Sequence, residues 1–496
     1  MRHLTFTLAL LLGAGALAAQ SEFAPVGAVW YFIRRCFHGS FIMVRFILLL
    51  CCFGLPFSIR AQYIWQKSYD LIPGGFPPNS DIGVQIRPSG DGYLLLSATL
   101  SADNTTSTPG IYRLDAEGNV IFKRYFFNEQ NKMRAFGQDV MLELPNGDIL
   151  ITGDQFTGNP SDLFQVFLLK LSASGDSLWM RTYDSHWLDI PQAVLPTPDG
   201  GFLIQGTGGT EGACCRDMFL IKTDSEGYLE WQRPLGNVQE YRYSISGNFL
   251  RMDDGTLLIP FKAAAHGISK DDTYLLKTDS LGNRLWIKRL YPEITIGNPP
   301  KIRKLPDGNL ALIATVDTLM PPLYNRYVVF LAKIDTAGNK LWELPFAWEG
   351  QLHYGDIEVT AAGDILIGGN KNEPSGDKAW VCKVSTTGEN LWERAFLLDR
   401  DYWSPPLMYD VAECPDGGII LSGLGLDQME GSTILDGNAW VVKLDSAGCF
   451  YPDNCQEFTL ITAVAEIPPP DAPDIRVFPN PSSGEIAVEL PDEWPF

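Results

Sequence analysis

A short motif recurs seven times along the chain, and its regular spacing constrains the fold more than any other feature. In the copy from Lys277 to Leu290 its sequence is KTDSLGNRLWIKRL. The copies follow one another at intervals of roughly 50 to 60 residues, a period that is typical of propellers and other repeat arrays. Each copy is centred on a glycine, and these are Gly118, Gly175, Gly227, Gly282, Gly338, Gly388 and Gly448.

The motif predicts a strand, a tight turn and a second strand. Apolar and polar residues alternate before the turn, and an Asp or Ser that opens the turn can accept hydrogen bonds from the backbone two residues on. The glycine is expected to adopt the positive φ that such a turn requires. A large aromatic residue follows each of the first six glycines by four positions, and we expect it to pack one repeat against the next. These residues are Phe122, Trp179, Trp231, Trp286, Trp342 and Trp392.

A second signature precedes each copy and completes the repeating unit. Its form is CPDGGIILSGL from Cys414 and LPDGNLALIAT from Leu305. Two strands joined by this turn, followed by two joined by the glycine motif, make four strands per unit, here named A to D. Seven units of this kind predict an all-β fold, a seven-bladed β-propeller of four-stranded blades, over residues 62–455.

The two ends of the repeat region are complementary. The seventh unit has no tryptophan strand after Gly448, where the sequence is CFYPDNC. The segment Tyr63 to Tyr69, YIWQKSY, has the D pattern and precedes the first A strand. We therefore predict that the N-terminal strand closes the last blade and leaves no unpaired blade edge.

The N-terminal region, residues 1–61, is predicted to be a leader. It holds two signal-peptide-like segments, at 1–20 and 43–61, each with a basic start, an apolar run and small residues before its end. We take Met43 as the working start and expect no stable transmembrane segment after removal of the leader. The formal net charge of −21 and the lack of a basic patch argue against a nucleic-acid partner.

An exported chain meets oxidising conditions, in which nearby cysteines can pair. Cys449 and Cys455 flank the segment that replaces the last D strand, and we predict a disulfide between them. Whether the adjacent Cys214 and Cys215 are oxidised stays open.

The C-terminal end contains a recognisable motif after a proline-rich linker, residues 456–474. Residues 475–496 resemble the start of the type A sorting domain of the type IX secretion system of Bacteroidota, a small β-sandwich-like domain. The residues that match are Phe478, Pro479, Asn480, Pro481 and Gly484. Because the chain ends at Phe496, we expect this domain to be truncated.

Residues 62–455 also resemble secreted, propeller-like repeat proteins of the same phylum, with units of the form DGGYLLAGxT and DxWLIKxDxxGNxxW. This resemblance implies a secreted or outer-surface protein that the type IX machinery exports. It implies no particular activity.

The antiparallel strand order separates two faces of the ring. The uniform AB and CD turns share one face, and the variable BC loops and D-to-A connections share the other, where binding residues are expected. We call the second the variable face. Aromatic and charged residues of its D-to-A connections form our candidate site for a glycan or protein ligand: Trp187, Tyr241, Trp348, His353, Asp399, Arg400, Tyr402 and Trp403.

Enzymatic activity stays open, although the sequence favours a non-catalytic binding module. It shows no nucleophile elbow, phosphate-binding loop, zinc spacing or calcium loop, so we predict no catalytic residue, cofactor or metal. The first alternative is a polysaccharide hydrolase or lyase that uses carboxylates of the central channel. A second is a purely structural surface component. A weaker one is a quinoprotein-like dehydrogenase, because the DxxGNxxW turn resembles the tryptophan-docking turn of those enzymes.

Overall fold

The fold is taken from a computed structural model of the chain. The residues that it describes run from Ile64 to Glu489, with gaps that fall mainly in the BC loops and D-to-A connections. No helix occurs in the described part of the chain, which is built of strands β1 to β33. The all-β prediction is confirmed.

Seven antiparallel units of four strand positions follow one another along the chain. Blade 1 is β2 to β5 (Ser80–Ser89, Gly92–Leu100, Ser107–Leu114 and Val120–Tyr125). Blade 2 is β6 to β10 (Met133–Arg134 and Met141–Glu143, which share the inner position, then Ile149–Asn159, Asp162–Leu171 and Ser177–Tyr183). Blade 3 is β11 to β14 (Leu188–Pro196, Phe202–Gly209, Arg216–Thr223 and Leu229–Pro234).

The remaining blades repeat this order. Blade 4 is β15 to β19 (Tyr241–Ser246 and Leu250–Arg251 at the inner position, then Leu257–Ala265, Asp271–Thr278 and Arg284–Ile294). Blade 5 is β20 to β23 (Lys301–Lys304, Leu310–Thr318, Arg326–Ile334 and Lys340–Phe346). Blade 6 is β24 to β27 (Leu352–Val359, Ile365–Lys371, Lys378–Val384 and Asn390–Leu398), and blade 7 begins with β28 to β30 (Leu407–Glu413, Ile419–Gln428 and Leu435–Leu444).

The ring closes where the sequence predicts. Strand β1 (Trp65–Tyr69) pairs antiparallel with β30 over five residues, from Trp65 with Lys443 to Tyr69 with Ala439. It is therefore the outer strand of blade 7. The first strand of the propeller and its last three strands thus belong to one blade. An additional parallel bridge between Ser80 and Gly437 joins blades 1 and 7.

The glycine turns have the predicted conformation. In blade 1 the Gly118 N–H donates to the carbonyl of Asp115 at 3.1 Å, and the Asp115 carboxylate accepts from the N–H groups of Glu117 and Asn119. The φ of Gly118 is 78°, and the equivalent glycines of the other six blades also have positive φ. These turns make one face of the ring uniform.

The aromatic residues of the outer strands pack between blades, as predicted. A Cβ built on Gly118 would lie 2.7 Å from the Trp65 ring of the preceding blade, and one on Gly227 would lie equally close to Trp179. Five of the seven motif glycines are covered in this way by an aromatic ring. These five glycines thus serve both the turn and the aromatic contact between blades.

The core is divided among the junctions between blades. Seven clusters of buried apolar side chains each combine residues of two adjacent blades. The cluster between blades 6 and 7 includes Leu366, Trp440 and Val442. Burial of apolar surface therefore holds each blade to its neighbours, as a propeller requires.

Three short strands follow the ring. Within the predicted linker, β31 (Glu457–Leu460) pairs in parallel with β27 of blade 6. Strands β32 (Arg476–Pro479) and β33 (Ile486–Glu489) pair antiparallel with each other in the predicted sorting domain, and Arg476 of β32 also pairs with Tyr125 of blade 1.

Candidate functional site

Most of the predicted ligand-binding residues lie outside the described residues. These are Trp187, Trp348, Asp399, Arg400, Tyr402 and Trp403. Tyr241 is the first residue of β15 and pairs with Ala265. His353 lies half-buried on β24, opposite Asn370. The aromatic site on the variable face therefore stays a prediction.

The cysteines and the sorting motif are described in part. Cys449 and Cys455 form a disulfide. Cys382 and Cys414 are buried free thiols, whereas Cys214 and Cys215 are outside the described ranges. Of the sorting motif, Phe478 and Pro479 lie on β32, and Asn480, Pro481 and Gly484 are not among the described residues.

The inner strands bring together a polar cluster that the sequence analysis did not identify. Their pairing with the B strands shifts register in five blades, for example between Tyr354 and Asp356 and between Met408 and Asp410. Such bulges redirect the side chains that follow them. A signal was present in the aligned repeats, because polar residues flank one apolar residue in the segments Gln85 to Arg87, Lys301 to Arg303 and Asp356 to Glu358.

Arg303 of blade 5 is the most highly connected member of this cluster. Its guanidinium lies 3.0 Å from an Asp139 oxygen on blade 2 and 3.1 Å from an Asp356 oxygen on blade 6, and its Nε lies 3.5 Å from Glu358. Asn248 of blade 4 donates to Asp139 at 3.2 Å. The cluster therefore links inner strands that lie on different sides of the ring.

Arg87 of blade 1 extends the same cluster to blade 7. It pairs with Asp139 at 3.2 Å, contacts Asp356 at 3.6 Å and forms a close ion pair with Asp410. Lys301 adds a contact to Asp356 at 3.0 Å. Including Asn248, side chains of six blades meet here, and we name this set the channel cluster.

Two carboxyl groups of the channel cluster, Asp356 and Asp410, contact the same guanidinium, that of Arg87. Burial raises the pKa of Asp410 well above its usual range, and the neighbouring Asp356 raises it further. Burial opposes ionisation of Asp356 as well, but Lys301 and Arg303 hold its pKa below the usual range. The two pKa values are therefore shifted in opposite directions.

This carboxyl pair lacks the exposure that a glycosidase needs. The two carboxyl groups of a glycosidase flank the scissile bond and must reach the substrate. The side chains of Asp356 and Asp410 are almost completely buried, at 0% and 2% exposure. The pair therefore gives no support to hydrolysis in the channel.

A second polar group lies where blade 2 meets the variable face. Arg134 on β6 contacts Asp154 on β8 through two nitrogens, at 2.5 and 2.7 Å. The guanidinium also lies 4.2 Å from the centre of the Phe164 ring, which meets Phe156 edge to face at 5.4 Å. Both rings are half-buried. We name Arg134, Asp154, Phe156 and Phe164 the blade 2 patch.

Asp154 is the titrating group of the blade 2 patch. Burial raises its pKa to about 6, Arg134 opposes this, and the nearby carboxylate of Asp189 on blade 3 adds to it. The sequence analysis missed this patch because its candidates came from the D-to-A connections, whereas both phenylalanines lie on the β8–β9 hairpin. The aromatic pair on that long hairpin was the available signal.

Among the described residues, no group of three or more His, Cys, Asp or Glu side chains is arranged to hold a metal ion. Within the same ranges, no helix has the length and apolar character needed to cross a bilayer.

Comparison with known proteins adds little beyond the fold. No protein-family model and no curated protein sequence matches the chain. A puromycin hydrolase mutant (S511A) has a TM-score of 0.48 at 16% identity, with 86% of this chain and 60% of that chain covered. The chain thus spans less than two thirds of that protein.

Two other solved structures are similar at the same level. The polysaccharide lyase Uly1 has a TM-score of 0.44 at 10% identity, covering 79% of this chain and 94% of that one. The β-propeller domain of the Trilobed protease from Pyrococcus furiosus has a TM-score of 0.36 at 8% identity, with 73% and 91% covered. Likenesses this distant carry no argument about activity, and the seven-bladed propeller follows from the strand pairing itself.

Proposed function

We propose that this chain is a secreted or outer-surface binding module whose variable face holds a glycan or protein ligand. The observation that carries the proposal is the division of the ring into a repeated face and a variable one. All seven CD turns have the same hydrogen-bond pattern, from the glycine N–H to the residue three positions before it. In a rigid repeat scaffold, the loops that differ between repeats are where ligand contacts evolve.

The blade 2 patch supplies suitable chemistry at the edge of that face. Half-buried aromatic rings can stack on sugar rings or on apolar side chains of a partner, and a guanidinium beside them can donate hydrogen bonds. Phe156, Phe164 and Arg134 combine these features on one hairpin and its neighbouring strand. These residues, together with predicted loop residues such as Trp187 and Trp403, are therefore the ones to mutate in a binding test.

Export is the second half of the proposal. The leader segments support translocation to an oxidising compartment, and the Cys449–Cys455 disulfide is compatible with one. The sorting motif that includes Phe478 and Asn480 supports delivery by the type IX machinery. Expression in a type IX-competent host tests this, since an Asn480→Ala, Pro481→Ala variant should stay inside the cell. Equal export of that variant and the wild type would count against the sorting assignment.

The binding half is tested by retention of the purified full chain on a panel of insoluble polysaccharides. Phe156→Ala, Trp187→Ala and Trp403→Ala should each weaken retention if the variable face holds a glycan. Tyr228→Ala is the matched control, because this aromatic is 59% exposed in a CD turn on the opposite face. Equal loss in the control, or no retention on any polymer, would remove the glycan and leave a protein as the ligand.

A polysaccharide hydrolase remains the second candidate, and Asp154 is the observation that favours it. A carboxyl with a pKa of about 6 suits a general acid near neutral pH, and Asp154 would reach a substrate only after that substrate displaced Arg134, because its side chain is 3% exposed. Soluble reducing sugar is therefore assayed in the same tubes. If the wild type releases reducing sugar, and Asp154→Asn is still retained on the polymer but releases none, hydrolysis becomes the favoured function. If the wild type releases no sugar, the binding module remains the favoured function.

A further inference from the structure

The seam between blades 6 and 7 contains two carboxyl groups on a single guanidinium. Arg87 contacts Asp410 of β28 through Nη1 and Asp356 of β24 through Nη2, the latter at 3.6 Å. The Asp356 side chain is fully buried, and that of Asp410 is 2% exposed. Two ionised carboxylates on one guanidinium and shielded from water repel each other strongly, so one of them is expected to hold a proton.

The surrounding charges decide which one. The ionisable groups that face the pair are Arg87, Asp139, Lys301, Arg303 and Glu358. Asp356 contacts all three cations of this set. Asp410 contacts only Arg87 among them and accepts from the backbone N–H of Ile86 at 2.6 Å. The ionised form is therefore better stabilised on Asp356.

The remaining oxygen of Asp410 agrees with this assignment. Oδ2 receives both the Arg87 and the Ile86 contacts, whereas Oδ1 is buried and has no donor. A buried carboxylate oxygen without a donor is costly. A proton on Oδ1 removes that cost, because it can be donated to Asp356.

We propose that Asp410 is protonated at neutral pH and donates a hydrogen bond to ionised Asp356, and that this proton is a pH-sensitive clasp holding blade 7 to blades 6 and 1. Blade 7 is also the blade that β1 closes, so the clasp acts at the closure of the ring. Loss of the proton in alkaline conditions leaves two facing buried charges and loosens this seam. The inference does not depend on the proposed binding function.

The direction of the pH dependence follows from the two pKa shifts. The native state keeps the Asp410 proton at pH values where the unfolded chain, with an Asp pKa of about 3.9, has lost it. Its contribution to stability is therefore complete below about pH 4 and is lost as the pH rises towards the folded pKa. Asp356 has the opposite sign, since its lowered pKa stabilises the fold at neutral pH and the contribution is lost in acid.

Two measurements on the full chain test the proposal. The first is the infrared band of protonated carboxylic acid at about pH 8, where Asp154, with a pKa of about 6, is ionised. The second is Tm between about pH 5 and pH 9 for the wild type, Asp410→Asn and Asp356→Asn. Asp253→Asn is the control, because this carboxylate is 90% exposed in its pair with Lys304.

We expect the wild type to show the acid band and Asp410→Asn to lack it. The fall in Tm towards alkaline pH should be reduced in Asp410→Asn and unchanged in Asp253→Asn, while Asp356→Asn lowers Tm at every pH. Absence of the band from the wild type, or parallel Tm curves for the wild type and Asp410→Asn, would overturn the proposal. Absence of the acid band from the wild type refutes the proposal without any variant. The infrared measurement therefore remains a test even if Asp410→Asn does not fold.

Discussion

Replacement of Gly118 by alanine tests the idea that one residue serves both the turn and the contact between blades. The glycine has a φ of 78°, a conformation that costs an L-residue about 1 to 2 kcal/mol. The new Cβ would also lie 2.7 Å from a ring carbon of Trp65. That ring cannot easily withdraw, because its Nε1 donates to the Ala116 carbonyl at 3.0 Å and Tyr93 packs against it at 5.8 Å. Overpacking of this kind costs about 1 to 3 kcal/mol.

Gly308 provides a matched control. Its φ is 82°, yet an added Cβ would meet no atom within 4 Å. Gly308→Ala should therefore lose only the conformational term of about 1 to 2 kcal/mol, and Gly118→Ala should lose about 2 to 5 kcal/mol. Urea unfolding of the full chain, followed by tryptophan fluorescence, measures both as changes in midpoint and slope.

A double-mutant cycle separates the steric term from the conformational one. In a Trp65→Leu background the ring is absent, so the further cost of Gly118→Ala should fall to that of Gly308→Ala. Equal costs for the two glycine variants in the wild-type background, or a Gly118→Ala cost that is the same with and without the ring, would refute the packing role of Trp65.

Three further predictions follow from the ring closure, the channel cluster and the blade 2 patch. Trp65→Ala should destabilise the ring by about 3 to 5 kcal/mol, because this side chain is buried. Lys67→Ala removes only an exposed hydrogen bond on the same strand and should cost under about 1 kcal/mol. Thermal unfolding measures both. Arg303→Met should cost about 3 to 5 kcal/mol because it leaves buried carboxylates without a cation. Lys304→Ala removes the neighbouring lysine, which pairs with an exposed carboxylate, and should change stability by no more than about 1 kcal/mol. Asp154 keeps its proton in the native state up to about pH 6, so its contribution to stability falls as the pH rises from about 4 to 6, and Asp154→Asn should lose that slope in Tm.

Each of these three predictions has an outcome that would contradict it. Similar losses for the tryptophan and lysine variants would mean that β1 does not close the ring through its aromatic residue. Similar losses for Arg303→Met and Lys304→Ala would mean that the channel cluster contributes no more than a surface pair. An unchanged pH slope in Asp154→Asn would show that this carboxyl titrates normally.

The chain sequence determined the repeat architecture, because the relevant interactions are local. An Asp or Ser three residues before a Gly defines each turn, and an aromatic residue four positions after each of the first six glycines marks an outer strand. The missing strand after Gly448 and the matching segment that ends at Tyr69 predicted the closure. Strand number, turn conformation and the packing role of the aromatic residues could all be predicted from spacing alone.

The channel cluster was decided by tertiary structure. Arg87 and Asp410 are 323 residues apart, and Arg303 and Asp139 are 164 apart, so no local pattern connects them. Only closure of the ring brings these inner strands around one axis, and bulges before Asp356 and Asp410 then set which side chains meet. The shared burial that shifts the two aspartate pKa values exists only once the blades have assembled, since in the separate strands each carboxylate would face water.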